Sequence, residues 1–507
     1  MSPELPPPRL AGRLVLKALL GGLLILVLTS TAVASAVLLQ VNKLGDGVRI
    51  TPPAVFERGV VTAAQPGEPQ TLLVVGSDRR YGTEGKTAHS DTLMLIRLDP
   101  RQQATAILNV PRDLAVQIAG YNRRKINDAY RLGGLSLITK TVKATLGLKK
   151  INHAMAVDFK GFRRVVNTLG CTYTDVDRRY FNDNDPPTGG GADYAAIDVQ
   201  PGYQRLCGTR ALEYVRYRHT DTDFVRSARQ QTFLRDAKDQ LGTSALFDNR
   251  DELLNIFGRS TQTDPGLHED KQVLRLLEQA GLSAGKPVRQ VRFPGVIEPD
   301  TTTYLGSYVT ASEQALEETR VKFLAATKER ERLVRPPVVR DGAKRTRQGE
   351  KTTLADFGLV DAKQQGEDIV APLEATGEVG FPIYFPQGLS PRGSWTGSPP
   401  KPRVYELRDR AEGAHQAYRL VFTENAARGD FYGVQGTTWR SPPILAGSSE
   451  KLRMRGRDYR LFYAGRKLRM VAWQTKSATY WVSNTLGLAL TNTEMLGIAR
   501  SLTRVGA

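Results

Sequence analysis

With 507 residues, 40% of them hydrophobic and 24% charged, the chain is long enough for two or three domains with ordinary cores, which excludes wholesale disorder. A formal net charge of +19 calls for an anionic partner, whether nucleic acid, acidic lipid or a phosphorylated polymer. Two cysteines and five scattered histidines, without a CxxC or HExxH spacing, argue against a zinc centre.

Residues 1–17 are Pro-rich and then basic, with Arg9, Arg13 and Lys17 against Glu4. Residues 18–42 contain no charge and are dense in Leu, Val, Ala and Ile. About 20 such residues in a helix cross a hydrocarbon core, so 18–42 is expected as a transmembrane helix. The basic flank before it predicts a cytoplasmic N-terminus and an extracytoplasmic remainder, which removes DNA as the anionic partner. A cleaved signal peptide is the competing reading, because Ala34-Ser35-Ala36 resembles a cleavage site. The apolar run continues through Val37, Leu38, Leu39 and Val41, which favours an uncleaved anchor.

Residues 43–70 read as a stalk, and 71–332 as an α/β domain. Strands are expected at 71–75, 92–98, 104–110, 151–157 and 288–293, with helices near 125–148, 159–169, 253–257, 270–280 and 312–328. Residues 333–375, charged and weakly periodic, read as a linker. From 376 to 507 short aromatic-rich strands at 418–422, 431–434, 459–463, 468–473 and 480–483 predict a smaller β-rich α+β domain. Thr491-Asn492-Thr493-Glu494 is a capping box for a closing helix that turns Met495, Leu496, Ile498 and Leu502 inward.

The most informative stretch is 216–230, RYRHTDTDFVRSARQ. Arg216 and Arg218 alternate with Val215 and Tyr217, so an extended segment would point both guanidiniums one way. Arg226, Arg229 and Gln230 have the i, i+3, i+4 spacing of one helix face. A fork of planar, permanently charged donors suits a phosphate or pyrophosphate. The plainer reading is a solvated charged face with local ion pairs, against which stand the apolar segments on either side and the carboxylates far upstream. Asp78 ends one strand and Asp91 begins the next, two hard ligands fit for Mg²⁺ or Mn²⁺ beside substrate phosphates, although Asp at a strand end is often only turn chemistry. Arg112 and Lys125 follow apolar elements and would add cations. Either Asp113 or Asp223 would serve to deprotonate an acceptor hydroxyl, and spacing does not choose between them.

Taken in order, Gly76-Ser77-Asp78-x-Arg80, Ser90-Asp91-Thr92, Pro111-Arg112-Asp113, Lys125-Ile126-Asn127, Val157-Asp158-Phe159-x-Gly161-Phe162 and Arg216-x-Arg218…Asp223-x-x-Arg226-x-x-Arg229-Gln230 resemble the LytR-CpsA-Psr family over roughly residues 71–328. The resemblance implies a central mixed β-sheet flanked by helices, with an apolar tunnel for a prenyl tail. It also implies a membrane-anchored phosphotransferase that moves a glycopolymer from a polyprenyl-pyrophosphate carrier to a peptidoglycan hydroxyl. Asp78 and Asp91 match the positions that organise Mg²⁺. Arg112, Lys125, Arg216, Arg218, Arg226, Arg229 and Gln230 match those that contact or support the phosphates, Arg80 and His89 are further candidates for pyrophosphate binding, and Arg112, Asp113 and Asp223 are the candidate catalytic residues. His89 departs from the arginine that family members often carry there, which would make a phosphate contact weaker or pH-dependent.

Outside the cytoplasm two lone cysteines in one domain tend to pair, so Cys171 and Cys207 are expected to form a disulfide, with two buried thiols as the alternative. Two other functions share these residues. One is hydrolysis of the carrier pyrophosphate; the other is a non-enzymatic wall-binding or attenuator protein, in which Arg440, Arg453, Arg455, Arg457 and Arg460 would grip an anionic polymer or simply face solvent.

Overall fold

The computed structural model describes residues 54–77, 90–183, 196–326 and 353–505, apart from positions 66, 103, 219, 241–244, 246–247, 269–271, 274, 277–278, 280–287, 300–305 and 398–400. The apolar run 18–42 and the candidate residues Asp78, Arg80 and His89 lie outside the described residues. Among the described residues, no helix is long and apolar enough to cross a membrane.

A six-stranded mixed sheet organises the first domain. Its strands are β1 (Gln70–Ser77), β2 (Ser90–Asp99), β3 (Ala104–Val110), β4 (His153–Asp158), β7 (Thr261–Thr263) and β8 (Val288–Val291), in the spatial order β7-β4-β1-β2-β3-β8. The β1–β4 and β3–β8 pairs are parallel and the others antiparallel. Helices α1 (Asp128–Thr145) and α5 (Glu313–Ala326) cover one face, where Ile138, Val142 and Phe323 meet Leu73, Val75, Leu95 and Leu108 in a solvent-free cluster. Because strand residues alternate, the residue between Leu108 and Val110, Asn109, points to the opposite face. There α2 (Phe159–Thr168), α3 (Gly208–Arg216) and α4 (Asp223–Gln240) form a second cluster around Val166, Ala211, Tyr214 and Phe233.

Three sequence expectations change. The stretch read as a stalk is packed onto the domain from Ala54 onward. Ala54 and Val60 are buried, the Ala54 amide donates to the Thr263 carbonyl, and the Thr62 amide donates to that of Ile151. Residues 215 and 216 are helical rather than extended, because α3 runs through Arg216: Ala211, Tyr214 and Val215 have helical spacing and all three are buried. Part of the stretch read as linker is folded, since α6 (Lys363–Thr376) and the turn before it bury Phe357, Leu359, Val370 and Leu373 in the second domain. Its many charges masked four apolar positions that lie on one side.

The second domain is an eight-stranded antiparallel sheet. It contains β9 (Arg403–Arg408), β10 (Ala414–Asn425), β11 (Asp430–Thr437), β12 (Glu450–Met454), β13 (Arg457–Ala464), β14 (Lys467–Gln474) and β15 (Thr479–Ser483), with a short strand at Ser394–Trp395. The aromatic segments 418–422, 431–434, 459–463, 468–473 and 480–483 all fall within these strands. The closing helix α7 (Asn492–Ser501) starts in a complete capping box: the Glu494 amide donates to Thr491 Oγ1 at 3.1 Å and the Thr491 amide to Glu494 Oε2 at 2.7 Å. Met495, Leu496, Ile498 and Leu502 are buried.

Both faces of this sheet are covered. Tyr418, Leu420, Phe422, Val434, Trp473 and Tyr480 face α6 and α7. The alternate positions Ala417, Met470, Ala472 and Trp481 pack on Tyr173 and Tyr203 of the first domain, which come from the hairpin of β5 (Thr172–Val176) and β6 (Gly202–Leu206). Buried polar contacts fix the angle of docking. Asp175 receives Arg419 Nη1 at 2.9 Å and Trp481 Nε1 at 3.0 Å, Tyr173 Oη donates to the Arg408 carbonyl at 2.7 Å, and the Ile444 amide donates to Tyr203 Oη at 3.0 Å. Gly202 has φ +107°, and a Cβ there would lie 2.5 Å from Tyr405 Oη, so the close approach of the two domains requires glycine at this turn. A Cys171–Cys207 disulfide joins the two ends of the β5–β6 hairpin.

Candidate active site

The charged cluster is assembled from four segments where the central strands of the sheet end. Asp91 stands at the start of β2, Arg112 and Asp113 follow β3, and Lys125 ends the short strand that returns from that corner. Arg218 lies in the turn between α3 and α4, closed by the Asp221 amide on the Arg218 carbonyl at 3.1 Å. Asp223 and Arg226 occupy the first turn of α4. Arg112 Nη1 donates to Asp91 Oδ1. Asp113 is ringed by Arg218 Nη2 at 2.7 Å, Lys125 Nζ at 3.5 Å and Arg112 Nε at 3.9 Å. Arg218 bridges onward, its Nε 3.3 Å from Asp223 Oδ1, which also takes Arg226 Nη2 at 3.0 Å.

Six of these seven groups are largely withdrawn from solvent, whereas the Arg218 side chain keeps 37% of its surface. Arg218 is therefore the cation best placed to leave its partners for a ligand. Burial, reinforced by the neighbouring Asp223 charge, pushes the Asp113 carboxyl above the usual carboxylate range against the pull of Arg112 and Lys125. Burial lowers the Arg226 pKa from the usual arginine value.

Other sequence-predicted residues stand elsewhere. Arg216, the last residue of α3, lies 4.6 Å over the Phe159 ring at the corner after β4, so it does not share a direction with Arg218. That corner adjoins the end of β1, where Asp158 pairs with Ser77. Arg229 is fully buried and therefore out of reach of a phosphate. Its guanidinium bonds Asp221 and the Tyr217 carbonyl and sits 4.5 Å over the Tyr180 ring. The helix expected over 226–230 exists, but its site face carries Asp223, Arg226 and Gln230, while Arg229 projects into an aromatic nest on another side.

Gln230 is also turned inward. It donates to Thr92 Oγ1 at 2.9 Å and to the Val215 carbonyl at 3.1 Å, and accepts from Asn109 Nδ2 at 2.9 Å, tying α4 to β2, β3 and the end of α3. Sequence reasoning missed Asn109, Arg178 and Tyr180 in these supporting layers. Asn109 was detectable as a polar amide inside an apolar strand, but Arg178 and Tyr180 have no spacing signal linking them to Arg229.

Among the described residues, no group of three or more His, Cys, Asp or Glu could hold a metal ion. One partly open carboxylate, that of Asp91, fits a divalent ion only in company with substrate oxygens. In the second domain, the arginines that might have gripped a polymer are largely occupied: Arg457 lies 5.0 Å over Tyr384, Arg460 bonds the Leu445 carbonyl at 2.8 Å, and Arg440 bonds that of Lys476.

The first domain is thus a mixed-sheet α/β protein that gathers four cations around three carboxylates where its central strands end. A sequence model of the LytR_cpsA_psr family matches residues 37–323, more than half of the chain, and the chain belongs to that family. It is 30% identical over 202 residues to the polyisoprenyl-teichoic acid–peptidoglycan teichoic acid transferase TagV of Bacillus subtilis, covering 39% of this chain and 50% of TagV. It is 31% identical over 173 residues to the regulatory protein MsrR of Staphylococcus aureus, covering 34% of this chain and 49% of MsrR. The chain thus spans about half the length of these curated relatives. The crystal structure of B. subtilis TagV is similar with TM-score 0.43 and 25% identity, covering 52% of this chain and all of the crystallised chain.

Proposed function

We propose that this chain is an extracytoplasmic phosphotransferase, held to the cell membrane by residues 18–42, that moves a glycopolymer from a polyprenyl-pyrophosphate carrier to a peptidoglycan hydroxyl. The observation that carries the reading is the chain of ion pairs from Asp91 through Arg112, Asp113 and Arg218 to Asp223 and Arg226. A diphosphate entering there would exchange Arg218 and Lys125 from protein carboxylates to phosphate oxygens. That differential is small in the ground state and grows as charge shifts to the leaving phosphate. The transferase name of TagV supports the reading.

In the transfer, the acceptor hydroxyl oxygen bonds to the phosphorus next to the sugar. The bond from that phosphorus to the bridging oxygen breaks, and polyprenyl monophosphate departs with the electron pair. Asp113, whose basicity burial raises, takes the hydroxyl proton. Arg218 and Arg112 neutralise the transferring group. Mg²⁺, with Asp91 and Asp78 as its protein ligands, would supply further neutralisation of the diphosphate when bound.

The test uses the purified full chain with a synthetic polyprenyl-diphosphate oligosaccharide, peptidoglycan fragments and Mg²⁺. The expected product is an acceptor-linked phosphodiester that Asp91→Ala and Arg218→Ala fail to form. Release of free glycan phosphate at the same rate without acceptor would establish a hydrolase instead, and parental activity in Arg218→Ala would overturn the site.

A further inference from the structure

The second domain does more than dock at a distance from the charged cluster. At the end of β10 the chain makes a single 3₁₀ turn, Ala426–Arg428, capped by the Asn425 side chain on the Arg428 amide at 3.1 Å. Gly429 closes the turn at φ +69° and brings its backbone against α4, where an added Cβ would lie 2.9 Å from Val225 Cγ2 and 3.6 Å from Asp221 Oδ1. Two residues on, the Phe431 ring lies 5.1 Å from the Arg178 guanidinium. Arg178 pairs with Asp221, and Asp221 pairs with the buried Arg229, whose other donor holds the Tyr217 carbonyl. The residues that these contacts immobilise, Tyr217, Asp221 and Val225, alternate along the chain with Arg218, Asp223 and Arg226. A corner gripped on one side by the second domain therefore presents the phosphate-facing cations on the other.

We propose that the Asn425–Phe431 turn of the second domain is a positioning element of the transfer site, holding the Tyr217–Val225 corner so that Arg218 points at the bound diphosphate. The inference rests on the phosphotransferase reading for its consequence, but not for its geometry. Phe431 never touches substrate; it acts through Arg178 and Asp221. A ring face over a largely desolvated guanidinium contributes more than the apolar bulk alone, so the chemical identity of the ring matters. Asp430, beside it, adds a second tie through its attraction for Arg292, whose guanidinium also bonds the Gly487 carbonyl.

The experiment compares full-length Phe431→Ala, Phe431→Leu and Phe431→Tyr with the parent and with Arg218→Ala. Transfer kinetics are measured on a synthetic polyprenyl-diphosphate oligosaccharide, and amide hydrogen exchange across residues 217–226 is measured in parallel. Phe431→Ala is expected to lower kcat/KM by roughly three- to tenfold and to accelerate exchange at 217–226, with exchange in β13 and β14 unchanged. Phe431→Leu keeps most of the bulk and should show the same loss even if the alanine variant folds poorly, whereas Phe431→Tyr restores both readouts. Unchanged kinetics and exchange in Phe431→Ala, alongside an inactive Arg218→Ala, would overturn the positioning role and leave the transfer reading intact. Parental transfer by Arg218→Ala would sink the transfer reading instead, and the exchange data would then decide the corner contact by themselves.

Discussion

Arg218 and Arg229 are eleven residues apart in one basic stretch, yet the structure gives them opposite expected phenotypes. Arg229→Met removes one member of a buried ion pair and leaves Asp221 to Arg178 alone. Breaking such a pair costs about 3–5 kcal/mol, and the remaining partner points to the lower end, about 3 kcal/mol. For a domain of this size that lowers the melting temperature by roughly 6–12 °C. Arg218→Ala acts on a side chain that is 37% exposed, and its partners remain paired: Asp113 with Lys125, Asp223 with Arg226. Its stability cost is therefore within about 1 kcal/mol, while loss of a charge-neutralising donor lowers the transfer rate by on the order of 10²–10³. Thermal melting followed by circular dichroism, with transfer assayed well below each variant's transition, separates the two. An Arg229→Met variant that melts like the parent but fails to transfer would place Arg229 on the substrate and refute the burial argument.

Gln230→Leu strands the Asn109 amide and Thr92 hydroxyl beneath the site, and is expected to destabilise by about 1–3 kcal/mol; urea titration checks it, and an unchanged midpoint refutes the positioning role. Replacing Cys171 and Cys207 by serine opens a loop closed at a separation of 36 residues, which chain entropy sets at about 4 kcal/mol; denaturant unfolding of oxidised parent and double variant measures it. Burial depresses the Lys238 pKa from 10.5 to about 8. A depressed pKa means that the associated stability is complete above pH 10.5 and lost as pH falls through 8, at most about 3 kcal/mol. Lys238→Met should therefore be more stable than the parent at pH 7, by a margin that shrinks toward pH 10.5; a constant margin would refute the assignment.

What the sequence disclosed follows from what is local in it. Strand β3 was readable at 104–110 because its apolar run is bounded by turn residues, and α7 because its capping box is contained within four residues. The charged cluster was foreshadowed by the order of its motifs, although Asp113 had no distinguishing feature until Lys125 and Arg218 closed around it. Periodicity misled where two elements meet. Val215–Arg218 has an alternation that looks like a strand, but helical burial of Ala211, Tyr214 and Val215 outweighs it. The i, i+3, i+4 spacing of Arg226, Arg229 and Gln230 is real, yet a helix inserted between a sheet and an aromatic nest is buried on several sides, so charge does not mark the solvent face. Nor can spacing reveal that Tyr173 and Tyr203 pack against a sheet more than 200 residues downstream.

That docking changes what the second domain is for. A sheet with one free face could swing on a linker and serve as a tethered binding module. Here both faces are buried, one by its own helices and the other by the β5–β6 hairpin, and the second interface contains the charged pair Arg419–Asp175, almost wholly excluded from water. Separating the domains would break that pair and expose Tyr173, Tyr203 and Trp481 together. The two domains are therefore packed as one body, and the charged cluster is held in a fixed relation to the second sheet. If the site transfers a wall polymer, the Asn425–Phe431 turn, packed on Val225 and Asp221, closes that side of the Arg218 corner to an incoming acceptor.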